Sequence, residues 1–253
     1  MKVKNILIAV ILFVTMPLYG IDSNKAQFEK GVEAYSTGDY QSALDLWLSI
    51  YKTGYNSFEL DYNIGNAYFK LNDVPGAILF YERAALLNPT NDDVNYNLQI
   101  AQMRTVDKFE EIPQLFIKKW LDVFSLFLSS NTWAILSLLS FIVCLVCVVL
   151  YFFSSKYKLK KAGFWIAVVL LLFSIISLSN SIRNKNLIHH SDAAIIFSSQ
   201  VNGKSSPDAS GTDLFLLHEG TKVFITDKVG EWYEIRLSDG NKGWIQSNSL
   251  EII

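Results

Sequence analysis

Cysteine is scarce in this chain. Cys144 and Cys147 are the only two in 253 residues, and both sit inside an uncharged apolar run. That excludes a disulfide framework and leaves no thiolate in a polar segment. On a lipid-buried helix the two are small apolar side chains and nothing more. Histidine is nearly as rare. His189 and His190 adjoin each other without a ligand-spaced partner, and His218 falls in a turn. A Cys/His hydrolase is therefore excluded, and no metal centre is predicted. There is no G-x-S-x-G and no phosphate-binding glycine loop. Carboxylates are plentiful, but no pair is marked out by apolar surroundings. The sequence predicts a protein that is not an enzyme and carries no cofactor. An excess of positive charge is also missing: the net charge is −2, which argues against a nucleic-acid partner. The acidic surplus is uneven. Residues 21–128 hold fifteen Asp and Glu against nine Lys and Arg, a balance of 9 − 15 = −6. Such a surface disfavours anionic partners, or serves solubility alone.

Apolar residues, by contrast, make up 51% of the chain, and the mean hydropathy is +0.24, more than a soluble domain usually carries. Three stretches hold the surplus. Residues 1–20 have Lys2 and Lys4, an apolar core from Ile6 to Met16, then Pro17 to Gly20. That order predicts a secretory signal peptide, cleaved after Gly20 or retained as an anchor, with no cysteine following for lipid attachment. Trp133–Phe153 and Ala162–Ile182 are each 21 residues without a charge, long enough to span a bilayer. The loop between them, 154–161, carries Lys156, Lys158, Lys160 and Lys161 and is predicted to be cytoplasmic. The signal peptide and the lysines independently place both flanking regions outside the cytoplasm. Neither span contains an ionisable residue, so no ion or proton path is predicted.

Between the signal peptide and the first span lies an internal repetition. In Phe58–Asn91, Ile64-Gly65 precedes Tyr68, and Ala77, Tyr81, Ala84 and Pro89 follow at the offsets of L-G-x2-Y…A-x3-F…P. Small Gly65 and Ala77 allow two helices to approach, large Tyr68 and Tyr81 fill the space beside them, and Asn72-Asp73 turns the chain. This segment resembles a tetratricopeptide repeat. A shift of 34 residues aligns Gly31 with Gly65, Ala43 with Ala77 and Trp47 with Tyr81, giving a weaker first copy over about 24–57. Residues 92–106 match only the start of a third and are predicted to form a closing helix. The resemblance implies an α-solenoid domain, 21–106, whose first helices line a concave groove. Helical spacing then sets Tyr62, Asn63, Asn66, Phe69, Tyr96 and Asn97 towards a partner peptide, or some of them towards the neighbouring helix. The basic clamp that grips acidic C-termini in such repeats is absent, with Asp93 and Asn97 in that region.

Residues 107–130 repeat apolar side chains at helical spacing, with Trp120 among them. They predict a juxtamembrane amphipathic helix lying on the membrane surface, or else packed on the repeats. After the second span, residues 187–253 alternate short apolar runs with turn signals, and the segment 201–203 reads as one such turn. Leu217-His-Glu-Gly-Thr-Lys-Val223, Gly230-Glu-Trp-Tyr-Glu-Ile235 and Asp239-Gly-x2-Gly-Trp-Ile245 resemble a bacterial SH3-like domain. The resemblance implies an all-β barrel. Trp232 and Trp244 are expected in its core, leaving Tyr233 as the exposed candidate for a peptide or glycan.

The order of these parts, with YERAALLNP, NDDVNYNLQIA and VDKFEEIP in sequence, resembles the aerotolerance BatE family of Bacteroidetes and relatives. The resemblance implies a multidomain, two-pass protein of the bacterial inner membrane with both soluble domains periplasmic. It also implies partners: von Willebrand factor A domain membrane proteins and a MoxR-type ATPase system. The alternative, from the SH3-like segment alone, is a cell-envelope sensor that binds peptidoglycan.

Overall fold

The computed structural model describes residues 19–109, 116–153, 156–189 and 192–253. The predicted signal peptide apart from Tyr19 and Gly20, together with Pro113 and the first two residues of the lysine loop, lies outside them.

Five helices come first: α1 (Tyr19–Ser36), α2 (Tyr40–Tyr51), α3 (Phe58–Lys70), α4 (Val74–Leu87) and α5 (Asp92–Met103). Their boundaries follow from local chemistry. Asp39, Ser57, Asp73 and Asn91 each accept a hydrogen bond from a backbone N–H in the first turn of the helix that follows, satisfying a donor the helix cannot. The turns into α2 and α4 are built alike: Gly38 and Asn72 both take positive φ, immediately before the capping aspartates. α1 with α2, and α3 with α4, then pack as antiparallel pairs. A Cβ added at Gly65 would lie 2.6 Å from Cδ1 of Tyr81, and Gly31 meets the ring of Trp47 in the same way. One core runs through the stack from Trp47 and Leu60 to Tyr81, Val94 and Ala101.

Three further helices form a membrane-scale unit: α6 (Phe116–Leu126), α7 (Ser130–Phe153) and α8 (Tyr157–His189). The last two are long and apolar enough to cross a bilayer. They pair through small side chains. Ser130 meets Ser181, Ser137 meets Ser174, and the Cys144 thiol reaches the Ala167 carbonyl at 3.3 Å. Partners rise in one helix as they fall in the other, so the two run antiparallel and both ends of the hairpin's soluble connections lie together. Bulky residues such as Ile135, Leu138, Leu172 and Ile176 face outward, as hydrocarbon-facing side chains do. Two expected boundaries shift. Lys158, Lys160 and Lys161 belong to the first turns of α8, and residues 187–189 extend that helix into the region expected to begin the β module. A helix continues where nothing in the sequence breaks it.

α6 packs mainly against α8 rather than on the repeats. Its polar side grips α8: Asp122 pairs with Arg183 at 2.6 Å, and Ser125 donates to Asn180 at 2.7 Å. Trp120, Phe124 and Phe127 stay exposed on the other side.

The C-terminal part is an antiparallel sheet of β1 (Ala193–Ile196), β2 (Gln200–Lys204), β3 (Asp213–His218), β4 (Lys222–Val229), β5 (Trp232–Arg236), β6 (Lys242–Gln246) and β7 (Leu250–Ile252), in the order β3-β2-β6-β5-β4-β1-β7. Among the described residues no pairing joins β3 to β7, so the expected closed barrel is seen only as a seven-stranded sheet. Residues 201–203, expected as a turn, lie within β2. Gly203 is there because the Phe215 ring covers it: a Cβ at either Gly203 or Gly243 would strike that ring.

Candidate functional site

The groove is a cleft of about 300 Å³ lined by rings and amides from four helices. α3 supplies Tyr62, Asn66, Phe69 and Lys70, α5 supplies Asn97 and Ile100, α1 supplies Tyr35 and α4 supplies Tyr81. Its polar centre is a connected network. Tyr81 Oη donates to Asn66 Oδ1 at 2.8 Å, and Asn97 Nδ2 donates to the same oxygen at 3.0 Å and to Tyr62 Oη at 3.1 Å. The network fixes the amide orientations. Asn66 Oδ1 accepts two of these bonds and Asn97 Nδ2 donates two, so the network uses neither the Asn66 amide N–H groups nor the Asn97 amide oxygen. Burial, with Tyr62 and Tyr35 close by, raises the pKa of Tyr81 far above the ordinary value. Tyr81 therefore keeps its proton and remains a donor.

Four of the six residues expected in the groove meet here: Tyr62, Asn66, Phe69 and Asn97. Asn63 and Tyr96 do not line the cleft. Asn63 is one residue, about 100°, round the helix from Tyr62, and Tyr96 is 64% exposed. Tyr35, Lys70, Tyr81 and Ile100 complete the lining without having been singled out. For Tyr35 a signal existed, since it stands 34 residues before Phe69 and occupies the same place in the first repeat. Lys70 also lies 5.9 Å from the Tyr40 ring centre at the cleft's edge.

On the sheet, strand alternation reverses the expected aromatic assignment. Tyr233 lies on the face of Ile235 and Leu237 and packs on the core of Ala194, Val223 and Ile245. It is half-buried, with the Lys228 ammonium 5.0 Å from its ring. Trp232 and Trp244 occupy the opposite face, also half-buried. The cause is register: Tyr233 pairs with Ile245 and Glu234 with Trp244, so the tryptophans share the outer face with Glu234 and its Lys242 partner at 3.0 Å.

Repeats and sheet are not separate modules. Ile195, Phe197 and Ile253 join the repeat core. The turn at Gly220 rests against Thr105, Ile78 and Val74. Asp107, just after α5, accepts from the His218 backbone N–H and the Thr221 hydroxyl, both at 2.7 Å, and contacts His218 Nδ1 at 2.9 Å. Burial alone would raise the Asp107 pKa, but these bonds from His218 and Thr221 together hold it below the usual carboxylate range. Lys222 pairs with Glu82 at 2.7 Å, and Arg83 Nη2 reaches the Ile252 carbonyl at 2.7 Å. His218 is thus held in the interface. His189 ends α8, and His190 is outside the described residues. No cluster of three or more His, Cys, Asp or Glu suited to a metal occurs among the described residues.

Comparison with known proteins agrees with both soluble parts. Residues 62–91 match the tetratricopeptide repeat family model, and residues 199–251 match that of the bacterial SH3 domain. No curated protein matches the chain. The chain therefore combines a tetratricopeptide repeat, a bacterial SH3 domain and two apolar helices of membrane-spanning length. Repeats and domains of these two kinds are suited to protein–protein interaction or cell-wall binding.

Proposed function

We propose that this chain is a non-enzymatic, two-pass membrane adaptor that holds an extended segment of a partner protein in the groove of α1, α3 and α5. The observation that carries this reading is the fixed amide network in an aromatic cleft. It offers a donor and an acceptor to a peptide backbone, already oriented, between rings that give wide contact at low entropy cost. The sheet occupies the other side of α4, through Ile78, Glu82 and Arg83, so the groove stays open. The order of parts supports membership of a Bat-type envelope-stress complex, with von Willebrand factor A domain membrane proteins and a MoxR-type ATPase as partners. The lysines at the far end of the hairpin support an inner-membrane protein whose soluble parts face the periplasm. In-cell crosslinking of the tagged full-length protein, followed by mass spectrometry, tests this reading. A-domain membrane proteins are expected from the wild type and lost with Tyr62→Ala. Equal capture by both removes the groove from the function.

The outward Trp232 and Trp244 favour a second reading, a peptidoglycan-binding envelope sensor. It requires that full-length protein be retained on purified sacculi and released by Trp244→Ala. Retention no greater than that of an unrelated membrane protein ends it.

A further inference from the structure

A second cleft, of about 890 Å³, opens where α4, α6, α8 and the sheet meet. Its position along α8 is the first clue. Ser179 and Ile182 line it from the last turn of the uncharged stretch, and Arg183 and Asn186 from the next turn, where charge begins. The cleft thus spans the step from apolar to charged surface, the depth of phospholipid headgroups in a bilayer crossed by α7 and α8. It lies at the end of the hairpin that carries the soluble parts.

Its chemistry is the second clue. Its apolar lining includes Leu86 and Phe224, both half-buried, and the exposed Ile182. Five charged groups share the lining. Arg183 is paired with Asp122 and Lys222 with Glu82, yet the two cations remain 39% and 33% exposed. The fifth, Asp192, is exposed and has no ion-pair partner among the described residues. Three acids against two bases leave the cleft one charge negative, which disfavours a net anionic headgroup. A zwitterion matches: its phosphate lies by Arg183 and Lys222, its cation by Asp192. A primary ammonium brings three N–H donors to the carboxylate, whereas a trimethylammonium brings none.

We infer that this cleft binds the phosphoethanolamine headgroup of one phospholipid, drawn from the leaflet beside the soluble domains. Its acyl chains run down the Ser179–Ile182 face of α8, and its headgroup ties α4, α6, α8 and the sheet together at the membrane surface. The inference rests on the reading of α7 and α8 as membrane spans, so the two are tested separately. Alkaline carbonate extraction of membranes tests the spans. Release of the protein overturns both.

Full-length protein in mild detergent is then mixed with equal amounts of dioleoyl phosphatidylethanolamine, phosphatidylglycerol and phosphatidylcholine, and bound lipid is counted by native mass spectrometry. One phosphatidylethanolamine is expected, favoured over each of the others by about fivefold, a difference of the size a single charged contact supplies at a membrane surface. Asp192→Asn, at an exposed side chain with no ion-pair partner among the described residues, abolishes that preference without altering the melting curve. Lys158→Gln, at the far end of the hairpin, leaves it intact. Retention of the three lipids in equal amounts, a preference for phosphatidylglycerol, or an unchanged preference in Asp192→Asn would overturn the site while leaving the spans in place.

Discussion

Asp61 sits fully buried on α3, with the Asn56 side chain near its carboxylate but outside hydrogen-bonding geometry. Burial pushes its pKa up from 3.8 to about 7, with Arg83 and Asn56 opposing only in part. Arg83 is engaged elsewhere: it lies over the rings of Tyr51 and Phe80 and binds Glu251 and the Ile252 carbonyl. The sign follows directly. Because the folded protein binds this proton more tightly than the unfolded chain, the stability linked to it is fully present below pH 3.8 and is lost as pH rises through about 7. Over that range the loss is of the order of 4 kcal/mol. Asp61→Asn is expected to raise the unfolding temperature of the repeat helices at pH 8 and to flatten its slope between pH 5 and 8, as read by circular dichroism. An unchanged slope would mean that another group titrates. Asn66 is a different case, since it serves both groove and fold. Asn66→Ala leaves Tyr81 Oη and one donor of Asn97 without their acceptor, and is expected to cost about 1–3 kcal/mol in denaturant unfolding. A loss of partner binding in that variant is therefore interpretable only beside Tyr62→Ala, which removes a ring at the edge of the network.

Among the elements, the α7–α8 hairpin depends on side chains small enough for the backbones to approach. Ser137 and Ser174 are buried against each other and bond across the seam at 3.1 Å. Ser137→Leu places a branched side chain in that seam, and overpacking of this kind costs about 1–3 kcal/mol. It is expected to lower the thermal stability of the detergent-solubilised protein, whereas Ile135→Leu on the outward face leaves it unchanged. Much at this scale was legible in the sequence. The helix pairs α1–α2 and α3–α4 were marked by Gly31, Gly65, Ala43 and Ala77 and by a 34-residue period that repeats even the turn at Gly38 and Asn72. The sheet was legible only in part. Val201-Asn202-Gly203 has the composition of a turn, and only the Phe215 ring, from another strand, explains a glycine inside β2. Tyr233 and Trp232 were assigned to the wrong faces for a related reason. Alternation fixes that neighbours face opposite sides, but register decides which side is the core. In the groove, residues on the regular spacing of α3 were found. Tyr81 was read only as a filler beside Gly65, though its hydroxyl anchors the polar network.

At the scale of the whole molecule, the feature that no local pattern announces is the docking of the sheet on the repeats. Its contacts join residues more than a hundred positions apart, such as Asp107 with His218 and Thr221, or Glu82 with Lys222. An acidic residue in a loop and a threonine in a turn have nothing unusual about them until the chain brings them together. Asp107→Ala leaves the His218 N–H and the Thr221 hydroxyl unpaired at a largely buried site. It is expected to speed hydrogen exchange of the amides from His218 to Lys222 by at least about tenfold, equivalent to about 1.4 kcal/mol. Exchange unchanged from the wild type would show that the apolar contacts of Ile195, Phe197 and Ile253 hold the two parts without the carboxylate. On the proposed adaptor reading, this docking ties a ligand held by the repeats to the sheet as well.

Site-specific photocrosslinking in cells tests the central claim most directly, with a photoreactive phenylalanine analogue placed at Phe69 in the groove or at Trp244 on the outer face of the sheet. The adaptor account predicts a discrete protein adduct from position 69, abolished by Tyr62→Ala in the same chain, and little or none from position 244. Adducts from position 244 alone, released by a muramidase, would contradict it and move the function to the sheet.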